Sequence, residues 1–216
     1  FETGQDYPIH SRKKGSLEAS EEIMFNCNEL AKGHSYYKLG GVSVSPDNQF
    51  ATFAVDKVSR RIYDIQIKNL KTGEILPDII NNATGSSVWA NDNKTIFYTK
   101  KDTVTLRSDK VYKHEIGTNP LNDELIFEEK DDTFDVFVYK EKSNKYIVIG
   151  SSSTLTNEYQ ILNADTPNEK FKIFQPRVRG LEYSISHFGS DFYILTNKDK
   201  ATNFKLMKTP ETATAK

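Results

Sequence analysis

The chain reads VSVSPDNQFATFAV from Val42 to Val55. Apolar and polar residues alternate before the corner Pro46-Asp47-Asn48, and a run of small and apolar residues, Phe50–Val55, follows it. Two such runs on either side of a Pro-Asp corner are typical of two strands joined by a turn. The small residues of the second run suit a strand in a crowded interior. This stretch therefore predicts the first half of an antiparallel sheet.

A polar corner followed by an apolar run occurs four times in the chain. The corners are Pro46-Asp47-Asn48, Asn91-Asp92-Asn93, Lys142-Ser143-Asn144 and Phe188-Gly189-Ser190. The runs that follow them are Phe50–Val55, Thr95–Thr99, Tyr146–Gly150 and Phe192–Thr196. Each unit then has a second run, centred on Tyr63, Tyr112, Tyr159 and Phe204, which lie 49, 47 and 45 residues apart. Short strands repeated at a period in the forties are typical of a β-propeller.

The repeats predict an all-β fold, a partial β-propeller that forms one incomplete domain over residues 1–216. Three full blades of four antiparallel strands are expected at residues 35–80, 81–130 and 131–180. Two partial blades flank them, the end of an early blade at residues 1–34 and a truncated blade at 181–216. The outer strands of the full blades are expected to begin at Ile75-Leu76 and to span Leu125–Phe127 and Phe171–Phe174.

One short helical turn is predicted at Asn28–Gly33. Asn28 has the side chain of a helix N-cap, and Gly33 suits the position that follows a helix end. The rest of the first segment is expected to form two strands, Tyr7–Ser11 and Glu21–Phe25.

The composition excludes several classes of protein. The 29 basic and 30 acidic residues nearly cancel and are scattered, so no charged patch for nucleic acid or an anionic membrane is predicted. Cys27 is the single cysteine, which excludes an intrachain disulfide and a thiolate metal cluster. The longest apolar runs are far shorter than the ~20 residues of a membrane-spanning helix. With no signal-peptide pattern at Phe1, we expect a cytoplasmic protein.

No catalytic, cofactor-binding or metal-binding residue is predicted, and the substrate-binding residues stay unassigned. His10, His34, His114 and His187 fall in different units without a paired ligand spacing, and no Gly-x-Ser-x-Gly motif occurs. Ser151-Ser152-Ser153 suits an irregular loop, Cys27 a buried structural thiol, and Trp89 packing between blades. The acidic pairs are interpreted as a solvated rim, although they could also attract a cationic peptide. They are Glu21-Glu22, Glu128-Glu129 and Asp131-Asp132.

Several phrases resemble the oligopeptidase B (protease II) group of the prolyl oligopeptidase family. Tyr7–Lys14 is similar to a Tyr-Pro-Ile-Tyr-Cys-Arg-Arg-Lys phrase of that group, with His10 and Ser11 in place of Tyr and Cys. Asn28–His34 resembles its Asn-Glu-Leu-Ala-x-Gly-His segment. Further similarity lies in order along the chain at Ser43–Asp47, Thr72–Asp78, Val88–Thr95 and Lys110–His114. A Ser-Pro-Asp turn occurs in many propellers, but the ordered set is specific.

The resemblance implies a serine oligopeptidase of the cytosol that cuts short peptides after Lys or Arg, most readily at dibasic pairs. Such enzymes join an α/β-hydrolase domain to a seven-bladed propeller, which caps the active site and excludes folded proteins. Their Ser-Asp-His triad belongs to the hydrolase domain, and this sequence does not contain that domain. The resemblance therefore implies that this chain alone is inactive and works with an intramolecular hydrolase domain on short basic peptides.

A second interpretation stays open, because propellers are common binding platforms. In this alternative the chain is a free-standing β-propeller that binds a protein or ligand on one face. In either case an open propeller leaves blade edges unpaired, and such edges associate with other chains. The sequence therefore also predicts self-association through the open blade edges.

Overall fold

The structure, a computed structural model, describes residues 1–214, so the last two residues of the predicted truncated blade lie outside it. Strands form most of the ordered structure. They are β1 (Ile9–Lys13), β2 (Glu21–Asn26), β3 (Lys38–Val44), β4 (Phe50–Asp56), β5 (Tyr63–Asn69), β6 (Ile80–Trp89), β7 (Thr95–Lys101), β8 (Ser108–Glu115), β9 (Glu124–Glu128), β10 (Asp135–Lys140), β11 (Tyr146–Ser152), β12 (Asn157–Asn163), β13 (Lys172–Ile173), β14 (Tyr183–Phe188), β15 (Asp191–Thr196) and β16 (Lys205–Pro210). The helices are α1 (Cys27–Leu30) and two short 3-10 helices, Pro120–Asn122 and Glu211–Ala213.

Within each sheet, every strand pairs antiparallel with the strands next to it in sequence, in the order of a series of blades. β1 and β2 form a two-stranded sheet, β3 to β9 a seven-stranded sheet, β10 to β13 a four-stranded sheet and β14 to β16 a three-stranded sheet. The seven-stranded sheet contains two blades, because β6 pairs with β5 through its first residues and with β7 through its last. The all-β, partial-propeller prediction is confirmed.

The outer strand expected at Ile75-Leu76 is interrupted. Ile75 pairs with Lys68, and the Leu76 N–H donates to Ile67 O at 2.8 Å. Pro77 follows and has no N–H to donate. Pairing with β5 resumes only where Ile80 lies opposite Ile65, at the first residue of β6. The fourth strand of this blade is therefore built from two short pieces.

Each of the four corners contains one residue in the left-handed region. Asn48, Asn93, Asn144 and Gly189 have φ values of 60°, 63°, 60° and 65°. Asn and Gly tolerate this conformation better than other residues. In the first three corners the preceding side chain, Asp47, Asp92 or Ser143, accepts the N–H two residues after it. The corners recur because their residue types satisfy this turn locally.

The structure corrects the register of the second run. In each blade, we compare the residue of the second strand that lies six positions after the left-handed corner residue. This residue pairs with one residue of the third strand. The third-strand partners are Ile65, Val111, Tyr159 and Leu206, which lie 46, 48 and 47 residues apart. Of the four aromatic residues used for the prediction, only Tyr159 occupies this position. Phe204 lies before β16 with a φ of 59°, so it does not centre a strand.

The predicted helical turn exists, but Asn28 is not its N-cap. The Asn26 side chain accepts the N–H groups of Asn28 and Glu29, and α1 begins at Cys27. Asn28 instead pairs with the backbone of Tyr7, since its Oδ1 accepts the Tyr7 N–H and its Nδ2 donates to the Tyr7 carbonyl, both at 2.9 Å. Asn28 therefore attaches the first strand to the helix.

The cores lie between successive blades. Phe25 of the first segment packs with Phe53 of the next blade, and their ring centroids are 4.7 Å apart. Similar clusters join each later pair of blades, and the second strands β4, β7 and β11 are buried over most of their length. Burial of each sheet on both faces explains why these strands are apolar without alternation.

Candidate functional site

Adjacent corners are joined by asparagine side chains. The Asp47 N–H donates to Asn93 Oδ1 at 2.9 Å, and Asn91 Nδ2 donates to Asn144 O at 3.0 Å. We call the end of the blades that carries these corners the corner face. These bonds hold successive blades in a fixed relation on that face.

A pocket of about 330 Å³ opens among three of the corners. The first strands of three successive blades end there, and in a propeller the first strands surround the central channel. Its lining residues are Ser43, Val44, Pro46, Val88, Trp89, Asn91, Lys140 and Asn144. The pocket therefore combines an apolar half with a polar half, and the polar half carries one cationic side chain.

Lys140 supplies that cation from the last position of β10. Its Nζ donates to Asn91 Oδ1 at 2.5 Å. Asn91 is held in turn, since its Nδ2 also donates to Asp165 Oδ1 at 2.7 Å. Burial lowers the pKa of Lys140, although the more distant charges of Asp165 and Asp92 oppose this effect. An ammonium in this setting favours an anionic neighbour.

A serine, a histidine and a glutamate are hydrogen-bonded in series between the last two blades. His187 Nδ1 lies 2.9 Å from Ser143 Oγ, and its Nε2 lies 3.1 Å from Glu211 Oε2. No motif in the sequence points to this cluster, because its members lie 24 and 44 residues apart. The order of groups resembles the nucleophile, base and acid of a hydrolase.

The surroundings of this cluster indicate a structural role. Glu211 also accepts from Lys145 Nζ at 2.6 Å and from Tyr146 OH at 3.1 Å, and the Lys145 hydrogen bond lowers the pKa of Glu211. The two N–H groups that follow Ser143 are both engaged, by Glu141 O and by Ser143 Oγ itself. An oxyanion would find neither of them free. The cluster therefore connects the last blade to its neighbour.

A second histidine, His114 of β8, is completely buried between two carboxylates. Its Nδ1 lies 2.8 Å from Asp123 Oδ1 and its Nε2 lies 3.2 Å from Asp78 Oδ2. Tyr98 OH donates to the other oxygen of Asp123 at 2.8 Å, and the Gly117 N–H donates to Asp78 at 2.5 Å. Both ring nitrogens of His114 are thus engaged by buried carboxylates.

The acidic pair Glu128-Glu129 is not a solvated rim at both positions. Glu129 is only 6% exposed and forms a close ion pair with Arg177. The Arg177 guanidinium also lies 3.8 Å from the centre of the Phe134 ring. Arg107 donates to the carbonyls of Glu129, Asp131 and Phe134 and so fixes the connection between β9 and β10. Glu21, Glu22, Glu128, Asp131 and Asp132 are exposed, as predicted.

The remaining candidate residues have structural positions. Cys27 is 1% exposed, and burial raises the pKa of its thiol, as expected for a structural cysteine. Trp89 packs between blades, and its Nε1 donates to Ser43 O at 2.9 Å. Ser151 and Ser152 end strand β11 and are not part of a loop, which corrects the prediction for that serine run. His10 and His34 are exposed.

Within residues 1–214, no three His, Cys, Asp or Glu side chains are grouped so that they could hold a metal ion. None of the helices in the same range has the length and apolar character needed to cross a bilayer.

The chain is similar in sequence to proteins that are named as peptidases. Dipeptidyl aminopeptidase BI of Pseudoxanthomonas mexicana is 38% identical over 100% of this chain and 32% of its own length. Protease 2 of Moraxella lacunata is 34% identical over 97% of this chain and 31% of its own length. The chain therefore spans about a third of the length of these curated relatives.

Solved structures agree with the sequence comparison. Oligopeptidase B from Leishmania major superposes with a TM-score of 0.89 at 29% identity, over 97% of this chain and 30% of that one. Oligopeptidase B from Trypanosoma brucei, in a closed form with covalently bound antipain, gives 0.86 at 28% identity over 98% and 30%. The model of the prolyl oligopeptidase N-terminal β-propeller domain matches residues 1–216. The chain is therefore a member of the prolyl oligopeptidase family and corresponds to its N-terminal β-propeller domain.

Proposed function

We propose that this chain is the substrate-gating propeller of a cytoplasmic serine oligopeptidase that hydrolyses short peptides after Lys or Arg. The observation that carries the proposal is the superposition on Leishmania major oligopeptidase B, with a TM-score of 0.89 over 97% of the chain. The 34% identity to a relative named Protease 2 supports it. The ordered phrases from Tyr7 to His114 add residue-level support.

In this proposal the propeller does not perform the chemistry. The described residues that come nearest to a hydrolytic arrangement, Ser143, His187 and Glu211, are held in a fixed contact between blades. The nucleophilic serine and its base would lie in an intramolecular α/β-hydrolase domain and act through an acyl-enzyme. Roughly two thirds of the length of the relatives lies outside the matched region, which leaves ample room for such a domain.

The role assigned to the propeller is selection of substrates by size. A ring of blades with a narrow central opening admits short extended peptides and excludes folded chains. The rigid links on the corner face, such as Asn91 to Asn144, would keep the opening narrow. In the full-length protein, the partners are therefore the hydrolase domain and short basic peptides.

When the propeller is separated from the rest of such a protein, we propose that it associates with a second copy of itself. The last blade exposes a hydrophobic face with Leu195 at 49%, Leu206 at 69% and Phe188 at 76%. Leu195 and Leu206 are direct partners across β15 and β16, so their side chains lie on one face of the sheet. β16 is also an edge strand, which can pair with another chain.

A second candidate activity is favoured by the 38% identity to a relative named dipeptidyl aminopeptidase BI. In that case the full-length enzyme would release dipeptides from free amino termini. The two candidates share the fold and the gating role, and they differ in whether the substrate needs a free amino group. The earlier alternative of a free-standing binding propeller requires that no hydrolase domain be joined to this chain.

The test is an assay of the full-length protein on matched fluorogenic peptides. One Arg-Arg substrate has a blocked amino terminus, and a second has a free one. Turnover of the blocked peptide with loss of activity for a Gly-Gly analogue supports an oligopeptidase selective for basic residues. Turnover of only the free peptide favours the dipeptidyl aminopeptidase. If the full-length protein shows no peptidase activity that a serine-directed inhibitor blocks, both candidate activities are overturned and the free-standing binding propeller is favoured.

A further inference from the structure

The pocket on the corner face has the chemistry of a site for a small organic anion. Val44, Pro46, Val88 and the nearly buried Trp89 form its hydrophobic lining. The Trp89 N–H is already satisfied by Ser43 O at 2.9 Å, so the indole offers the pocket its hydrocarbon surface. A volume of about 330 Å³ accommodates a ligand the size of a short peptide terminus.

The residues that line this pocket include no carboxylate beside Lys140. Within residues 1–214, no carboxylate lies in ion-pair distance of its Nζ, whereas Lys113 and Lys145 pair with Glu124 and Glu211. Lys140 instead donates one hydrogen bond, to Asn91 Oδ1. An ammonium has three N–H donors, so two are left for a ligand.

Asn91 fixes the position of this ammonium. Its Oδ1 accepts from Lys140, and its Nδ2 donates to Asn144 O and Asp165 Oδ1. The Asn91 N–H also donates to Ala164 O at 2.8 Å. With both ends of its amide bonded to the next blade, which contains β10 to β13, Asn91 holds Lys140 in place before any ligand enters. A pre-positioned donor loses little entropy when it binds an acceptor.

We propose that this pocket binds the terminal carboxylate of a short peptide, with Lys140 as the anion-binding residue. The two free Nζ–H groups would donate charge-assisted hydrogen bonds to the carboxylate oxygens. The hydrophobic wall formed by Val44, Val88 and Trp89 would contact the last side chain of the peptide. The site rests on the proposed function, because it retains short peptides at the propeller while leaving the chemistry to the hydrolase domain.

The experiment measures binding to this 216-residue chain and requires no peptidase activity. Isothermal titration and NMR compare acetyl-Ala-Leu with its C-terminal amide, which has the same side chains without the carboxylate charge. Because the peptide contains no Lys or Arg, the result does not depend on the cleavage preference. We expect the acid to bind and the amide to bind at least about tenfold more weakly.

Variants identify the residue responsible. We expect Lys140→Met to weaken binding of the acid about tenfold and Lys140→Arg to retain most of it, because Arg keeps the charge. Lys142→Met is the matched control, since Lys142 is exposed on the same corner two residues away. Thermal unfolding followed by circular dichroism shows whether each variant keeps the fold.

Three outcomes would overturn the proposal. They are equal binding of the acid and the amide, an equal loss in Lys142→Met, and the lack of measurable binding by a folded wild-type chain at millimolar peptide. In each case a Lys- or Arg-specific turnover by the full-length protein would still support the proposed function. Failure of this site and failure of that function are therefore separate results.

Discussion

His114 and Asp123 form a buried hydrogen-bonded pair, in which Nδ1 lies 2.8 Å from Oδ1. The other ring nitrogen faces Asp78, and both carboxylates accept further hydrogen bonds, from Tyr98 and Gly117. Two carboxylates around one ring favour the form of His114 in which both nitrogens carry a proton and donate. This arrangement favours the protonated ring, in agreement with the raised pKa of His114.

We expect the stability of the chain to fall at alkaline pH through this histidine. Burial opposes the charge of His114, but the hydrogen bonds and charges of Asp123 and Asp78 outweigh it and raise its pKa above 6.5. A pKa raised by folding stabilises the native state fully below the unfolded value, and this contribution is lost as the pH rises through the folded value. Urea unfolding at intervals between pH 6 and pH 9 measures the trend.

His114→Gln tests whether this residue is responsible. Gln keeps one hydrogen bond but leaves a buried carboxylate without its partner, so we expect a loss of about 3 kcal/mol at pH 6. The variant should also lose the part of the alkaline slope that His114 contributes. His10→Gln is a matched control because His10 is exposed in β1. An unchanged slope in His114→Gln would show that the ring is neutral in the native chain.

Removing one partner of the ion pair between Glu129 and Arg177 should lower the free energy of unfolding more than replacing both partners. Arg177→Met leaves the buried Glu129 without a partner, and we expect a loss of about 3–5 kcal/mol in the free energy of unfolding. Glu129→Met with Arg177→Met replaces both charges by hydrophobic groups and should recover much of that loss. Chemical denaturation of both variants at pH 7 provides the comparison.

The same pair predicts an acid dependence. Burial alone would raise the pKa of Glu129, but the hydrogen bond from Arg177 and its positive charge outweigh burial, so the pKa lies below 4.5. Its stabilising contribution is complete above the unfolded pKa and is lost as the pH falls through the folded value. The wild-type chain should lose more stability than the double Met variant between pH 5 and pH 3. Parallel curves would contradict a native ion pair.

The repeat could be predicted from the sequence because its signals are local. A corner such as Pro46-Asp47-Asn48 contains its own turn residues, and the strand after it is apolar over consecutive positions. The exact register could not be predicted in the same way. Phe204 matched the aromatic pattern, yet strand pairing places Leu206 at the equivalent position. An aromatic side chain is only one of several groups that fill that position between two blades.

The side-chain clusters could not be predicted because they join residues from distant parts of the chain. Asp78 lies 36 residues before His114, and Glu129 lies 48 residues before Arg177. Neither pair has a motif, and only packing of the strands brings the charges together. The choice between Asn26 and Asn28 as the helix cap failed for a related reason. Asn28 pairs with Tyr7, a contact that depends on tertiary structure.

The exposed face of the last blade predicts self-association of the 216-residue chain. We expect dimers in analytical ultracentrifugation at micromolar concentration, because a second copy would cover Leu195 and Leu206. Leu206→Lys places a charge on this face and should shift the equilibrium toward monomer. Val104→Lys is a control, because Val104 is 84% exposed outside the strands of the last blade. A wild-type chain that stays monomeric would contradict the interface.

Substitution of a left-handed corner residue by Ala should lower the stability of the chain more than substitution by Gly. Asn48 has a φ of 60°, and its N–H donates to Ser45 O at 2.8 Å. Asn48→Ala should cost about 1 kcal/mol because a Cβ without a compensating polar side chain disfavours this region. Asn48→Gly should be close to neutral, since Gly adopts positive φ readily. Thermal and urea unfolding of the two variants measure the difference. Equal losses would show that the Asn48 side chain, and not its backbone conformation, stabilises the corner.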